Sequence, residues 1–290
     1  MTPARLQRTI CQPIAVFGFG YWSGNDVRVE FRPAPAGSGI TFVRDDLGPH
    51  ARVPAKAEYR IEVPRRTCLK KDNVQVDMVE HILAALAGMQ IDNCEVGVDQ
   101  CEMPGCDGSA MAFVAALETV GSTSQETAVQ QLVVTQPMRL AEGDGWIEAK
   151  PSPEESYRVA FTLDYPQDSS IGFQQADLEV TPDRFFEEVA SCRTFILKRE
   201  ADELLGRGYC KRVSTRDLLI FDEQGPVNNK LRFPNECARH KALDLIGDMA
   251  LTGCEIVGSI AAYRSGHQLN AKFAQQLSAR FDQSMLRATA

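Results

Sequence analysis

His240 and Asp244 stand four positions apart in the segment Pro234–Leu251, where Ala242, Leu245, Ile246 and Met249 recur at helical spacing. Residues four apart on a helix share a face one turn from each other, so an imidazole and a carboxylate placed this way can grip one divalent ion at two points. Asp248 continues that face. The same spacing also describes an ordinary exposed pair beside Arg239 and Lys241. A second segment, Asp77-Met78-Val79-Glu80-His81, sets a carboxylate next to an imidazole near a helix start. Beside a metal-binding histidine, such a carboxylate can act as a general base on water; Asp77 with Glu80 three positions on is equally a capping box. A third segment, Ser265-Gly266-His267, puts a histidine after a glycine that permits a sharp turn. Its bland counterpart is a histidine at a helix N-terminus, where the charged form is disfavoured. The chain has four histidines, His50, His81, His240 and His267, so any histidine metal site must be drawn from them. Three of the four fall in these segments, each with a role in metal-assisted hydrolysis.

The rest of the chain bounds the answer. Its 290 residues suit two modest domains or one large one, and 44% hydrophobic with 24% charged residues is the composition of a chain with a real core. A net charge of −8 argues against a broad nucleic-acid surface, though not against a small cationic pocket. No run of eighteen apolar residues and no signal peptide is read, so no membrane span is expected. Nine cysteines without a C-x-x-C pair read as free thiols in a reducing cytoplasm. A monomer is the default expectation.

Periodicity gives the elements that must position these residues. Strands are expected at Asp26–Arg32, Gly39–Asp45, Tyr59–Pro64 and Ile91–Val98, with helices at Met78–Met89 (N-cap Asp77) and Ser109–Thr119. The polar stretch Gly121–Thr127 reads as a linker. Beyond it, strands are expected at Gln131–Thr135, Trp146–Lys150, Arg158–Tyr165 and Glu255–Tyr263. Helices are expected at Pro182–Val189, Pro234–Leu251 and Gln268–Phe281. The stretch Arg193–Leu231 is too long for a plain loop and should carry structure of its own. Both halves run strands, helix, strand, helix. The expected fold is therefore α+β, two similarly built domains (1–122 and 128–290), each a β-sheet layered with helices, with small inserts and the active site between them.

These segments resemble the UDP-3-O-acyl-N-acetylglucosamine deacetylase family, the zinc deacetylases of lipid A biosynthesis. The resemblance runs from Gln7-Arg8-Thr9-Ile10 through Arg32-Pro33-Ala34, Val79-Glu80-His81, Ala84 to Gly88, Ile91-Asp92-Asn93 and Asp107-Gly108-Ser109-Ala110. It continues in Arg193-Thr194-Phe195, Leu231-Arg232-Phe233, Arg239-His240-Lys241 with Asp244, Gly247 and Asp248, and Ser265-Gly266-His267 with Leu269-Asn270. It implies hydrolysis of the acetamide of a UDP-3-O-(3-hydroxyacyl)-N-acetylglucosamine, releasing acetate. His81, His240 and Asp244 would hold Zn2+, or Fe2+, and three ligands leave a position open for catalysis. Glu80 would be the general base. Thr194 would help hold the oxyanion, and His267, oriented by Asp248, would be the acid. Lys241 and Arg264 would meet the diphosphate, and Phe195 would line the pocket. The segment 193–231 would be an inserted acyl passage with walls at Leu197, Leu204, Leu205, Leu218 and Ile220.

The chain departs from the family pattern at Trp22-Ser23-Gly24, where the family has His-Ser-Gly, at Lys211-Arg212-Val213-Ser214, where it has Lys-Gly-x-Ser, and at Pro104-Gly105-Cys106. Val213 resists positive φ, so the turn should differ in shape. Two rival functions follow: a metal-dependent deacetylase of a different acylated amino sugar, or a divergent paralogue with a binding or regulatory role.

Overall fold

The computed structural model describes residues 4–167 and 169–288. The first half contains β1 (Leu6–Ile10), β2 (Ile14–Phe19), β3 (Asp26–Pro33), β4 (Ile40–Arg44), β5 (Arg52–Pro54), β6 (Arg60–Ile61), β7 (Cys68–Lys71), β8 (Val74–Asp77), α1 (Glu80–Gly88), β9 (Cys94–Val98), α2 (Met111–Val120) and β10 (Ser122–Ala128). The second contains β11 (Gln131–Val133), β12 (Met138–Glu142), β13 (Gly145–Lys150), β14 (Tyr157–Asp164), β15 (Phe173–Glu179), α3 (Pro182–Glu188), β16 (Phe195–Leu197), α4 (Lys198–Gly206), β17 (Leu219–Asp222), β18 (Gly225–Pro226), α5 (Glu236–Met249), β19 (Glu255–Tyr263) and α6 (His267–Ala288).

The two main sheets share one plan. The first has strand order β2-β3-β9-β4-β5 and the second β12-β13-β19-β14-β15, with β11 also pairing β19. In each, two hairpins flank a late central strand that runs antiparallel to one neighbour and parallel to the other: β9 to β3 and β4, β19 to β13 and β14. By order in the plan, α1 corresponds to α5 and α2 to α6. Each half also carries a small three-stranded insert, β6-β7-β8 ahead of α1 and β16-β17-β18 with α4 ahead of α5. The α+β class with similar halves and inserts is therefore as expected.

The core explains why α1 and α5 are so apolar. In α1, Ile82, Leu83, Ala84, Ala85 and Leu86 are all buried, more than the single stripe its spacing suggests, because the helix packs against α5 and also against α2 and α3. Small residues bring the helices together. A β-carbon on Gly247 of α5 would sit 2.1 Å from the Glu80 carbonyl oxygen, and one on Gly88 2.3 Å from the Phe185 ring of α3. Phe31, Phe42 and Phe113 fill the first half, and Phe161, Phe185 and Phe273 the second.

Several local expectations are corrected. Gly121–Thr127 is no linker: it is largely the strand β10, hydrogen-bonded antiparallel to β1. Its side chains mostly face solvent, so no apolar stripe marks it. Tyr59–Pro64 yields only the two-residue β6 after a 3-10 turn at Ala57–Tyr59. Asp77 does not cap α1: it ends β8, its Oδ1 accepts from Gln75, and the chain turns at Met78 with φ +61 before a helix whose N-cap is Val79. The left-handed residue ahead of α6 is Arg264 (φ +49), not Gly266. In the 208–214 turn the positive φ angles fall on Gly208 (φ +87) and Cys210 (φ +54), and Val213 stays out of that region as expected.

Candidate active site

The first turn of α1, the middle of α5 and the start of α6 converge on one buried point. His81, His240 and Asp244 bring ligand atoms within 4.8 Å of one another, and all three are buried. The exposed-pair alternative for His240 and Asp244 is thereby excluded, since they are 1% and 3% exposed. His240 Nδ1 donates to the Cys192 carbonyl at 3.1 Å, which turns its other nitrogen, Nε2, towards Asp244 Oδ1 at 3.4 Å. His81 Nε2 faces the same oxygen at 3.6 Å. Burial drives the His240 pKa down to about 3, against the pull of Asp244, so this imidazole is neutral with its Nε2 lone pair free. Asp244 Oδ1 is buried and has no hydrogen-bond partner among the described residues. Asp244 Oδ2 instead accepts from Lys241 Nζ at 2.7 Å. Burial raises the Asp244 carboxyl, but His240, Lys241 and His267 outweigh it and hold it well below the ordinary range. Buried polar atoms nearly always have partners. Two imidazoles and an unpartnered carboxylate oxygen turned to one point are a donor set that fits a divalent cation.

Glu80 and His267 flank this trio. The capping-box alternative for Glu80 does not hold: the side chain is buried and its Oε2 accepts the Thr67 N–H at 2.9 Å, outside the helix. Burial raises the Glu80 carboxyl above its usual value, against the opposing pull of His267 and His81. His267 Nε2 lies 3.9 Å from both Glu80 Oε1 and Asp244 Oδ2, and its Nδ1 lies 2.9 Å from Asp248 Oδ2. Burial lowers the His267 pKa, and Asp248, Asp244 and Glu80 more than compensate, leaving it at about 9. Asp248, wholly buried, also accepts from Asn270 at 2.8 Å.

Phe195 packs its ring edge-on to His240 at 6.3 Å between centroids, with Lys241 Nζ 5.7 Å from its centre. Thr194 follows Cys192 by two residues. Its N–H donates to the Gly108 carbonyl at 2.7 Å, and a β-carbon on Gly108 (φ +81) would strike the Asp217 carbonyl, so the Asp107-Gly108-Ser109 turn and residue 194 interlock. Arg264 is not brought to the trio. Its guanidinium is half exposed, 3.9 Å from Asp144, on the rim of a cleft of ≈ 460 Å³ shared with Arg60, Arg65 and His267. A larger cleft of ≈ 770 Å³, bordered by Arg5, Lys56 and Tyr157, contains none of these residues.

Sequence reading missed Thr67 and Glu236. Thr67 offers no signal, being a lone threonine ahead of a short strand. Glu236 reads as one more acid at a helix start, yet it is fully buried and accepts from the Arg193 backbone N–H and guanidinium and from the Arg232 N–H, fixing the chain just before Thr194. Removing one partner of a buried ion pair strands the other, at a cost of about 3–5 kcal/mol. Glu236→Ala is therefore expected to lower the urea midpoint by that equivalent. A midpoint within about 1 kcal/mol of wild type would show that the pair is not coupled to folding.

The departures at Trp22 and Arg212 lie at one contact, between the β2–β3 turn and the 209–212 segment. Trp22 stacks beneath the Arg66 guanidinium (4.3 Å) and against Tyr209 (5.9 Å between centroids). Arg212 donates to the Gly24 carbonyl and Asp26 and lies 4.4 Å from the centre of the Phe19 ring, tying the second insert to the β2–β3 turn. Of the five proposed passage residues, Leu205 is 45% exposed and the other four half-buried; Leu219 and Phe221 form the insert's buried side.

Comparison with known proteins gives a consistent picture. A family profile described as UDP-3-O-acyl N-acetylglycosamine deacetylase matches residues 7–279. The UDP-3-O-acyl-N-acetylglucosamine deacetylase of Myxococcus xanthus (strain DK1622) is 38% identical over 272 residues, covering 93% of this chain and 86% of that protein. The protein of the same name from Anaeromyxobacter sp. (strain Fw109-5) is 41% identical over 266 residues, covering 91% and 86%. That of Idiomarina loihiensis is 37% identical over 275 residues, covering 93% and 89%.

Proposed function

The chain belongs to the UDP-3-O-acyl-N-acetylglucosamine deacetylase family, and from that premise we propose how it hydrolyses the acetamide of a UDP-3-O-(3-hydroxyacyl)-N-acetylglucosamine in lipid A biosynthesis, with zinc held by His81, His240 and Asp244. The carrying observation is Asp244 Oδ1, a buried acceptor without a hydrogen-bond partner, faced by the imidazole nitrogens of His81 and His240. A divalent cation there supplies Lewis acidity, polarising the amide carbonyl and easing deprotonation of water at neutral pH. The two-nitrogen, one-oxygen ligand set suits zinc and ferrous iron alike.

The chain's own residues do the rest. Glu80, anchored by the Thr67 N–H through one oxygen, takes the proton of the attacking water with the other. Thr194 steadies the oxyanion. His267, whose Nε2 lies 3.9 Å from Glu80 Oε1, gives a proton to the departing amine, and Asp248 favours its charged form. Lys241 and Arg264 face the diphosphate, Arg264 from the cleft rim, and Phe195 walls the sugar. The groove between the N-terminal domain (1–122) and the C-terminal domain (128–290) receives the substrate. Among the described residues no helix is long and apolar enough to cross a membrane. We place the enzyme in the cytoplasm as a monomer.

Metal analysis of the purified protein with an acetate-release assay tests this reading. Stoichiometric zinc or iron and acetate release abolished by a chelator and restored by zinc are expected. Fully metal-loaded protein that releases no acetate would reject the substrate. The Trp22–Tyr209 and Arg212–Asp26 contacts favour one second reading, an acyl chain or amino sugar other than the usual one, which a panel of acyl lengths compared by kcat/KM separates.

A further inference from the structure

Thr67 touches both sides of the proposed proton path while belonging to neither. It lies ahead of β7 and is fully buried. Its N–H donates to Glu80 Oε2 at 2.9 Å, and its carbonyl accepts the Val79 N–H at 3.2 Å, which locks it to the start of α1. Its hydroxyl oxygen lies 2.5 Å from Asp248 Oδ1 and 3.2 Å from His267 Nδ1.

The proton count settles how these contacts work. An ionised carboxylate only accepts, so the single hydroxyl proton goes to Asp248 Oδ1 and a hydroxyl lone pair is left facing His267 Nδ1. Nδ1 also faces Asp248 Oδ2 at 2.9 Å. Its hydrogen is thus shared between two acceptors, and Nδ1 is the nitrogen that keeps it. Nε2 is then the nitrogen presented to Glu80 Oε1 and Asp244 Oδ2. On the other side, the Thr67 N–H occupies Glu80 Oε2 and leaves Oε1 towards Nε2. The β-branched side chain has little χ1 freedom, so hydroxyl and backbone move as one body.

We infer that Thr67 is a positioning residue that sets the base Glu80 and the acid His267 from one rigid point, its backbone holding the first and its hydroxyl orienting the second through Asp248. This rests on the proposed roles of Glu80 and His267.

Thr67→Val keeps the shape and the N–H but removes the hydroxyl; Thr67→Ser keeps the hydroxyl. With wild type alongside, kcat, KM and metal content are measured. Thr67→Val is expected to lower kcat by about 10-fold or more with KM within about twofold and metal content unchanged, and Thr67→Ser to recover most of the loss. A Thr67→Val enzyme with kcat within about twofold of wild type, or a Thr67→Ser enzyme as impaired as Thr67→Val, would overturn the inference. If Thr67→Val does not fold, Thr67→Ala takes its place and must show the same loss relative to Thr67→Ser. If wild type releases no acetate, the substrate reading fails on its own. The positioning is then read from nitrogen NMR of the His267 imidazole at fixed pH. There Thr67→Val must shift the Nδ1 resonance seen in wild type, and an unchanged spectrum overturns the inference.

Discussion

Glu80→Gln is expected to lower kcat by about 10²-fold or more while leaving fold and metal content intact. Glutamine has the same length and keeps a carbonyl oxygen for the Thr67 N–H, so the anchor at 2.9 Å survives. What is lost is the basicity of the oxygen facing His267. The Glu80 carboxylate is buried, and an isosteric neutral amide there carries a smaller desolvation cost than a charge, so thermal stability should hold or rise. Steady-state kinetics with metal analysis checks this. A glutamine variant with full metal and kcat within about tenfold of wild type would remove Glu80 from the role of base and leave it as part of the ligand surround.

Gly247→Ala should damage the enzyme nearly as much from a residue that touches no substrate. The added β-carbon would lie 2.1 Å from the Glu80 carbonyl oxygen and 3.2 Å from the Ala84 nitrogen, all backbone that cannot rotate away. The helices α1 and α5 must therefore part. Overpacking of this kind costs about 1–3 kcal/mol in stability. The larger effect is geometric. His81 rides on α1 while His240 and Asp244 ride on α5, so parting the helices opens the trio directly. A misplacement of about 1 Å at a reacting centre can cost about 10²-fold. The expected variant folds, unfolds at lower temperature, binds metal weakly and loses about that much in kcat/KM. Metal titration against kcat/KM is the check: wild-type metal affinity with wild-type activity would mean that the crossing tolerates a methyl group.

The helix proposed to carry two of the metal ligands was legible because its chemistry is local. His240 and Asp244 lie one turn apart on one helix, and the spacing alone says that they share a face. Whether that face meets solvent was not legible, because α5 is buried on nearly all sides and its apolar residues do not reveal that the polar ones are buried too. Glu80 shows the same limit: three positions after an aspartate it satisfies a capping pattern, and only the fold shows its carboxylate turned away to Thr67. The strand β10 escaped because both its neighbours in space and its solvent face are invisible in a run of serine, threonine and glutamine. The duplicated plan was legible as an order of elements. The strand order that makes it a true repeat depends on pairings between residues far apart in the chain, such as β9 with β3 and β4.

Were the two sheets supplied by two identical chains, a centre lying between α1 and α5 would meet the same side chains from both directions. The group that takes a proton could not then differ from the group that gives one, because symmetry would make them the same residue. Within one chain the corresponding positions are free to diverge: α1 brings Glu80 and His81, α5 brings His240, Asp244 and Asp248, and α6, the counterpart of α2, opens on His267. Repetition of the scaffold supplies two matched walls, and with the roles proposed for Glu80 and His267 the broken symmetry of their side chains gives the reaction a direction.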